Sequence, residues 1–421
     1  MSASNVTADH VLRLLRANWA WLLVAGTLPL FATTTLFNAP LWLMALLGLW
    51  RASRDPRMLV RDGTVSLFGC LFLCAWLPML LALPDAVQPP RALQTALPYV
   101  HFYFAGIFII GALGDEGALK KMEWLVFAVV TLWLLDALLQ FLSGANLFGY
   151  PYRPGQLSGM FHPKLRLGHA LAVLTPLYLE LIRRASPGRP WMWLFALLLA
   201  AVILLSGKRV AWIMAFAGCA AWGAVLLYRS PRLAWGRIAA GALAAGILLG
   251  VVATTHEPLS RRIEITLGVF SGDVEEFDRA TARRLSVWNT ALAMAREHWL
   301  NGVGPRGFRY AYREHAADGD FFVLRGDGAQ THPHQMLLEV AAETGTFGVL
   351  GIGVFWWLLL RRGTTAVRAG CPSLPWILCA GVAWLPLNAH LAFYGSYWSS
   401  VLWWLLACAL AAAATRPTAR A

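Results

Sequence analysis

Apolar runs separated by short polar turns recur along nearly the whole chain, and one long polar stretch, residues 255–345, interrupts them. A membrane-spanning helix needs about 20 consecutive apolar residues. Runs of roughly that kind fall at 18–36, 38–50, 64–84, 97–113, 122–142, 167–183, 190–206, 209–228, 235–254, 346–361, 374–391 and 396–415. The pattern therefore predicts about twelve transmembrane helices. The second and tenth runs are short, and the second could equally be a half-span; losing one span would put the C-terminus on the other side. The expected fold class is an all-α integral membrane protein. A single polytopic domain covers residues 1–421, with the 255–345 segment inserted between the ninth and tenth spans.

The polar segment has helical periodicity of its own. Residues 281–299 place Leu285, Trp288, Leu292, Ala295 and Trp299 on one face of a helix. A turn-rich stretch, Asn301-Gly-Val-Gly-Pro-Arg-Gly-Phe308, follows. A second helix is expected from near Thr331 to Gly345, where the tenth span begins. An amphipathic helix beside a membrane can lie on its surface; two helices joined by a Gly-Pro loop read more as a lid folded over the span bundle.

Composition fits this picture. The chain is 58% hydrophobic and only 14% charged, where soluble domains carry about 25% charged residues. Net charge is +13, which raises nucleic acid as a partner, but the short loops account for the excess. Arg51, Arg54, Arg57 and Arg61 share one loop, and Arg183, Arg184 and Arg189 another. Arg229, Arg232 and Arg237, then Arg361, Arg362 and Arg368, follow on the same side. The alternate loops 37–38, 85–96 and 143–163 hold only Arg91 and Arg153. Positive charge marks the cytoplasmic side, so both termini are expected in the cytoplasm and residues 255–345 outside. That outer segment carries ten Arg against thirteen Asp and Glu, so no nucleic-acid partner is expected. Residues 1–17 are polar, with Arg13 and Arg16, and do not read as a signal peptide. Six cysteines lie outside the outer segment and form neither a disulfide framework nor a zinc spacing.

The candidate chemistry gathers at the outer face. Lys208 and Arg209 sit on a short outward turn, against the positive-inside trend, and so call for an anionic partner: lipid phosphate or substrate phosphate. A guanidinium fork suits phosphate oxygens. Arg284 opens the first outer helix, where the macrodipole disfavours a cation; it is either a second phosphate clamp or an exposed arginine paired with Asp278 or Glu276. In His332-Pro333-His334 the proline suits a first helical turn, with Thr331 or His332 as the cap. His334 is then expected in that turn as a neutral general base, or as a structural histidine bonded to a carbonyl. His162, Lys164 and Arg166 end the loop before the sixth span and either complete an anion pocket or anchor to headgroups. Asp318-Gly-Asp320 resembles a metal-binding Asp-x-Asp, but a solvated turn is the expected reading. No metal and no cofactor are expected.

Four segments together resemble the O-antigen ligase family, within the superfamily that also holds O-antigen polymerases and O-linked oligosaccharyltransferases. They are Gly159-Met-Phe-His-Pro-Lys164 with Gly168; Ser206-Gly-Lys-Arg-Val-Ala211; Arg284-Leu-Ser-Val-Trp288 with Gly302-Val-Gly-Pro-Arg-Gly-Phe308; and His332-Pro-His-Gln-Met-Leu-Leu338 with Glu343-Thr-Gly345. The resemblance implies a glycosyltransferase type C membrane fold in the bacterial inner membrane. It implies an undecaprenyl-diphosphate-linked polysaccharide donor and a lipid A–core acceptor, joined at the periplasmic face with inversion. Arg209 and Arg284 fall on the family's essential arginines, and His334 on its essential histidine. His332, Lys208, His162, Lys164, Trp288 and Gln335 are further substrate-binding candidates. The family usually has Asn after the histidine; here Gln335 offers the same amide on a longer arm. A ligase is expected over a polymerase because one outer segment dominates. It is expected over the protein-glycosylating relatives, which often carry a soluble C-terminal domain. A flippase or transporter would call for internal repeats or midplane charges, and only Asp136 comes near that description.

Overall fold

The computed structural model describes residues 18–415 apart from 231–234, 237–240, 242, 245, 248–249, 253, 326–329, 372 and 387–390. Among these residues the chain is helical, with an isolated β-bridge between Ala145 and Pro151. The helices track the apolar runs: α1 (18–30), α2 (Ala39–Arg54), α3 (Gly63–Leu81), α4 (His101–Ala112), α5 (Glu116–Ser143), α6 (Leu167–Ala185), α7 (Trp193–Leu205) and α8 (Arg209–Arg229). The described residues between 235 and 255 are helical. After them come α9 (Glu257–Leu267), α10 (Leu285–Glu297), α11 (Phe308–His315), α12 (Met336–Arg368), α13 (Leu374–Ala383) and α14 (Ser396–Ala414).

Among the described residues, six segments are long and apolar enough to cross a membrane: Gly63–Leu81, Pro89–Ala112, Glu116–Ser143, Arg209–Arg229, Met336–Arg368 and Ser396–Ala414. Other expected runs form shorter helices. The first run is cut by turns from 31 and a short 3-10 helix at Leu36–Asn38. Pro190–Leu205 and Leu374–Ala383 are apolar but short. α6 is long, but it carries Glu180, Arg183 and Arg184, with Glu180 bonded to both arginines at 2.7 Å and 3.0 Å.

Acidic caps start two of the long apolar helices. Asp62 accepts Thr64 N at 2.8 Å ahead of α3, and Asp115 accepts Ala118 N at 2.8 Å ahead of α5. Each satisfies an N–H that the helix cannot pair internally. The helix at the centre of the bundle is α14: 89% of its apolar window is buried, against 22% for α8. Consequently α8 presents most of its length outward, as a lipid-facing helix would. Helices approach closely where side chains are small. A Cβ on Gly351 of α12 would lie 2.1 Å from the Cys74 carbonyl oxygen of α3.

The outer segment has its own small core. Val287, Ala291 and Met294 of α10 pack with Val303, Phe308, Ala311, Tyr312 and Ala342. This corrects the expected buried face. Leu292 and Trp299 are exposed, and the buried stripe is Val287, Thr290, Ala291 and Met294. Both faces satisfy helical spacing; the choice is made by α11 and the first turns of α12, which pack on the smaller side chains.

Candidate active site at the outer mouth of the bundle

The turn joining α7 to α8 is tight because Gly207 takes a positive φ of 67°. Gly155 packs against it so closely that a Cβ on Gly207 would lie 2.1 Å from the Gly155 carbonyl oxygen. Lys208 occupies the capping position and Arg209 is the first residue of α8. The guanidinium of Arg262, on α9, donates to the Gly207 carbonyl, and that of Arg209 donates to the Ala280 carbonyl. The outer segment is thus docked on the 206–209 turn by two arginines.

Arg284 stands at the start of α10, as expected, while Asp278 accepts Leu285 N at 3.1 Å. The two residues before it, Ala282 and Arg283, have φ of 63° and 56°. Two successive side-chain-bearing residues in the left-handed region are costly and typical of functional segments. Arg283 turns away, over the Phe321 ring at 4.8 Å.

Four half-buried cations therefore converge: Lys208, Arg209, Arg262 and Arg284. The electrostatics record the crowding. Burial, then Arg262 and Arg284, push the Lys208 ammonium down to about 8. Burial, then Arg209, push the Arg284 guanidinium down to about 10. Like charges held together out of water lose stability unless an anion joins them.

His334 is not where its sequence suggested. Helix α12 begins at Met336, and the cap is Gln335, whose Oε1 accepts Leu338 N at 2.6 Å. Neither Thr331 nor His332 is the cap, and Pro333 precedes the helix rather than entering its first turn. An amide two residues later performs the capping, so His334 sits ahead of the helix with φ of 56°. Its surroundings come from side chains, not from a helical first turn. The His332 and His334 rings lie with centroids 4.0 Å apart, and His332 Nδ1 is 2.9 Å from Thr331 Oγ1. Trp288 Nε1 donates to the Pro333 carbonyl at 3.1 Å. Arg284 and Trp288 are one helical turn apart, so the first turn of α10 presents the arginine and grips the histidine segment together.

Gln335 is fully engaged: its Nε2 also donates to the Pro386 carbonyl at 3.2 Å. His162 stacks on Tyr150, with centroids 4.6 Å apart, and Lys164 is exposed. Arg166 points inward instead, 3.6 Å from the Tyr397 ring centroid. Asp136 and Gln140 of α5 pin this loop. Asp136 accepts Leu147 N at 3.0 Å, and Gln140 accepts Gly159 N at 2.7 Å. Asp136, the one polar span residue singled out from sequence, thus has a loop-anchoring role. Asp320 is likewise structural: it accepts Phe322 N at 2.9 Å and Val323 N at 3.0 Å, and the Tyr312 hydroxyl at 3.0 Å. Asp318 is exposed.

A buried acid–arginine cluster carries no role in the sequence reading. Glu339 and Glu343, both fully inside, lie one turn apart on α12. Arg306 N donates to Glu343 at 2.6 Å, and its guanidinium is 3.8 Å from Glu339. Glu339 also accepts Phe393 N at 3.0 Å and Tyr394 N at 3.3 Å. The i, i+4 acids beside an Arg in a Gly-Pro turn were the available signal. The cluster locks three segments around the helix that follows His334.

Residues 194–353 match the family model described as O-antigen ligase, which supports assigning the chain to the O-antigen ligase family. The match contains Arg209, Arg284 and His334 and ends nine residues beyond Thr344. No curated protein matches the chain.

Proposed function

We propose that this multi-pass membrane protein of the O-antigen ligase family is a ligase. It moves a polysaccharide from undecaprenyl diphosphate to a sugar hydroxyl of lipid A–core at the periplasmic face. The observation that carries the reading is the convergence of Lys208, Arg209, Arg262 and Arg284 beside the His334 segment. In the proposed step the acceptor oxygen attacks the anomeric carbon and gives its proton to His334. The bond from that carbon to the diphosphate breaks, and the electron pair leaves with the diphosphate. Arg209 and Arg284 hold the departing oxygens, because fixed charges aimed at a developing anion lower the barrier. Attack opposite the leaving group inverts the anomeric carbon. The lipid tail would rest along α8, whose outward face is apolar.

The proposed architecture is of glycosyltransferase type C, with the short apolar helices completing about twelve spans and residues 255–345 on the periplasmic side. The test is the glycolipid content of a deletion strain. A ligase deletion removes long chains from lipid A–core and accumulates full-length polymer on the carrier lipid. Accumulation of single repeat units instead would make the protein a polymerase.

A further inference from the structure

At the far end of α10 from Arg284, Glu297, His298 and His315 bring three ligand atoms within 4.8 Å of one another. We propose that they form a reversible binding site for a divalent transition metal such as zinc, clipping α10 to α11.

Local structure explains how the three converge. Neighbours in a helix point apart, but α10 ends at Glu297, and His298 leaves it with φ −105° and ψ 46°. The two side chains can therefore turn to one side. His315 is the last residue of α11, and its side chain is 97% buried, being 3% exposed. Its Nδ1 lies 2.9 Å from the Ala311 carbonyl oxygen. A carbonyl only accepts, so Nδ1 carries a proton there, and the tautomer with that proton alone would present its lone pair at Nε2. That arrangement, a backbone carbonyl fixing the tautomer behind a ligating nitrogen, is the usual support for a metal-bound histidine.

His315 Nε2 is buried, has no hydrogen bond, and sits 3.3 Å from Glu297 Oε2. Ligands about 2.0–2.1 Å from a tetrahedral ion are separated by about 3.3 Å. The His298 and His315 rings have centroids 5.6 Å apart, leaving room between them. Two imidazoles and a carboxylate suit zinc, copper or nickel over magnesium or calcium. Three protein ligands leave one position for water, as in open sites. Glu297 is 68% exposed, so the ion can enter and leave.

The site is remote from the transfer chemistry. Glu297 ends the thirteen-residue helix that Arg284 precedes, about 20 Å away at the helical rise. A metal here would stiffen the outer helices rather than touch the diphosphate.

The experiment uses the full chain in detergent, with any affinity tag removed and metal stripped by EDTA. Cobalt is titrated as the spectroscopic probe, with zinc in competition. The expected result is one cobalt per chain with visible absorption, displaced by zinc, and a zinc-dependent rise in melting temperature. His298→Gln and Glu297→Gln should each weaken binding at least about tenfold, since even losing a supporting group costs that much. His332→Gln should leave it unchanged. No cobalt absorption, or binding lost with His332→Gln but kept in His298→Gln and Glu297→Gln, overturns the proposal.

Discussion

His334 has a backbone conformation that few residues adopt, beside a second imidazole and ahead of a helix capped by its neighbour. The variant keeps Pro333 and the Gln335 cap of α12, so His334→Ala should insert and fold normally. Its transfer rate should fall by roughly 10²–10⁴-fold. Normal transfer by the purified variant, assayed with donor and acceptor, would remove the base role. Lys208 supports a pH prediction. Its pKa of about 8 lies below the usual lysine range, so in the free protein it loses its charge as pH rises through about 8. A bound diphosphate would favour the charged form and raise that pKa. Donor KM should therefore climb above pH 8, by up to about tenfold per unit. Lys208→Gln should flatten the profile; a flat wild-type profile from pH 7 to 9 would separate Lys208 from the donor. For folding the sign is opposite. The depressed pKa disfavours the folded state at neutral pH, and the penalty fades as pH rises past about 8.

The element that orders the site is the break in α12. At Gly345 the backbone turns to φ 58°, ψ −151°, so the helix interior loses its regular bonds there. Residues 299–304 run alongside and supply replacements. Val303 N donates to the Ala342 carbonyl at 2.9 Å and Gly304 N to that of Glu343 at 3.0 Å; Thr346 N donates to the Trp299 carbonyl at 2.8 Å. The fit tolerates no side chain: a Cβ on Gly345 would lie 2.5 Å from the Leu300 carbonyl carbon, and one on Gly302 2.4 Å from that of Glu343. Gly345→Ala should cost about 1–3 kcal/mol for the backbone conformation alone. It should appear as a lower melting temperature in detergent, with reduced transfer because the His334 segment is no longer held. Unchanged stability and activity would show that the break is incidental. The helix boundary at Gly345 was legible in the sequence, as was Arg284 at the start of α10. The cap was not: Gln335 is a weaker capping signal than Thr331, and its tertiary bond to Pro386 leaves no trace in the local pattern. The buried face of α10 was misread for a related reason. Leu292 and Trp299 are the larger apolar residues, yet α11 and α12 accept the smaller ones. The Arg306–Glu339–Glu343 cluster escaped because its partners come from three separated segments.

For the whole molecule, the regular alternation of apolar runs and arginine-bearing loops made the helical class legible, since only helices or closed barrels satisfy the backbone in lipid. Individual spans were less legible, because Pro-interrupted runs such as 374–391 give helices too short to cross alone. Orientation is the property that joins the scales: the arginine–histidine site can meet a lipid-linked sugar only if residues 255–345 face outward. The charge asymmetry argues for it, since Arg51 and Arg54 end α2 and Arg57 and Arg61 follow before α3, on the side opposite the 206–209 turn in the twelve-span arrangement. Ser53 and Ser271 sit in these two regions, and Ser271 is exposed. With the native cysteines replaced, Ser271→Cys should react with a membrane-impermeant thiol reagent on spheroplasts. Ser53→Cys should react only after the inner membrane is broken. The opposite pattern would invert the molecule and place the cationic mouth in the cytoplasm. It would then be cut off from a periplasmic acceptor, and the proposed ligase reaction could not occur there whatever the side chains can do.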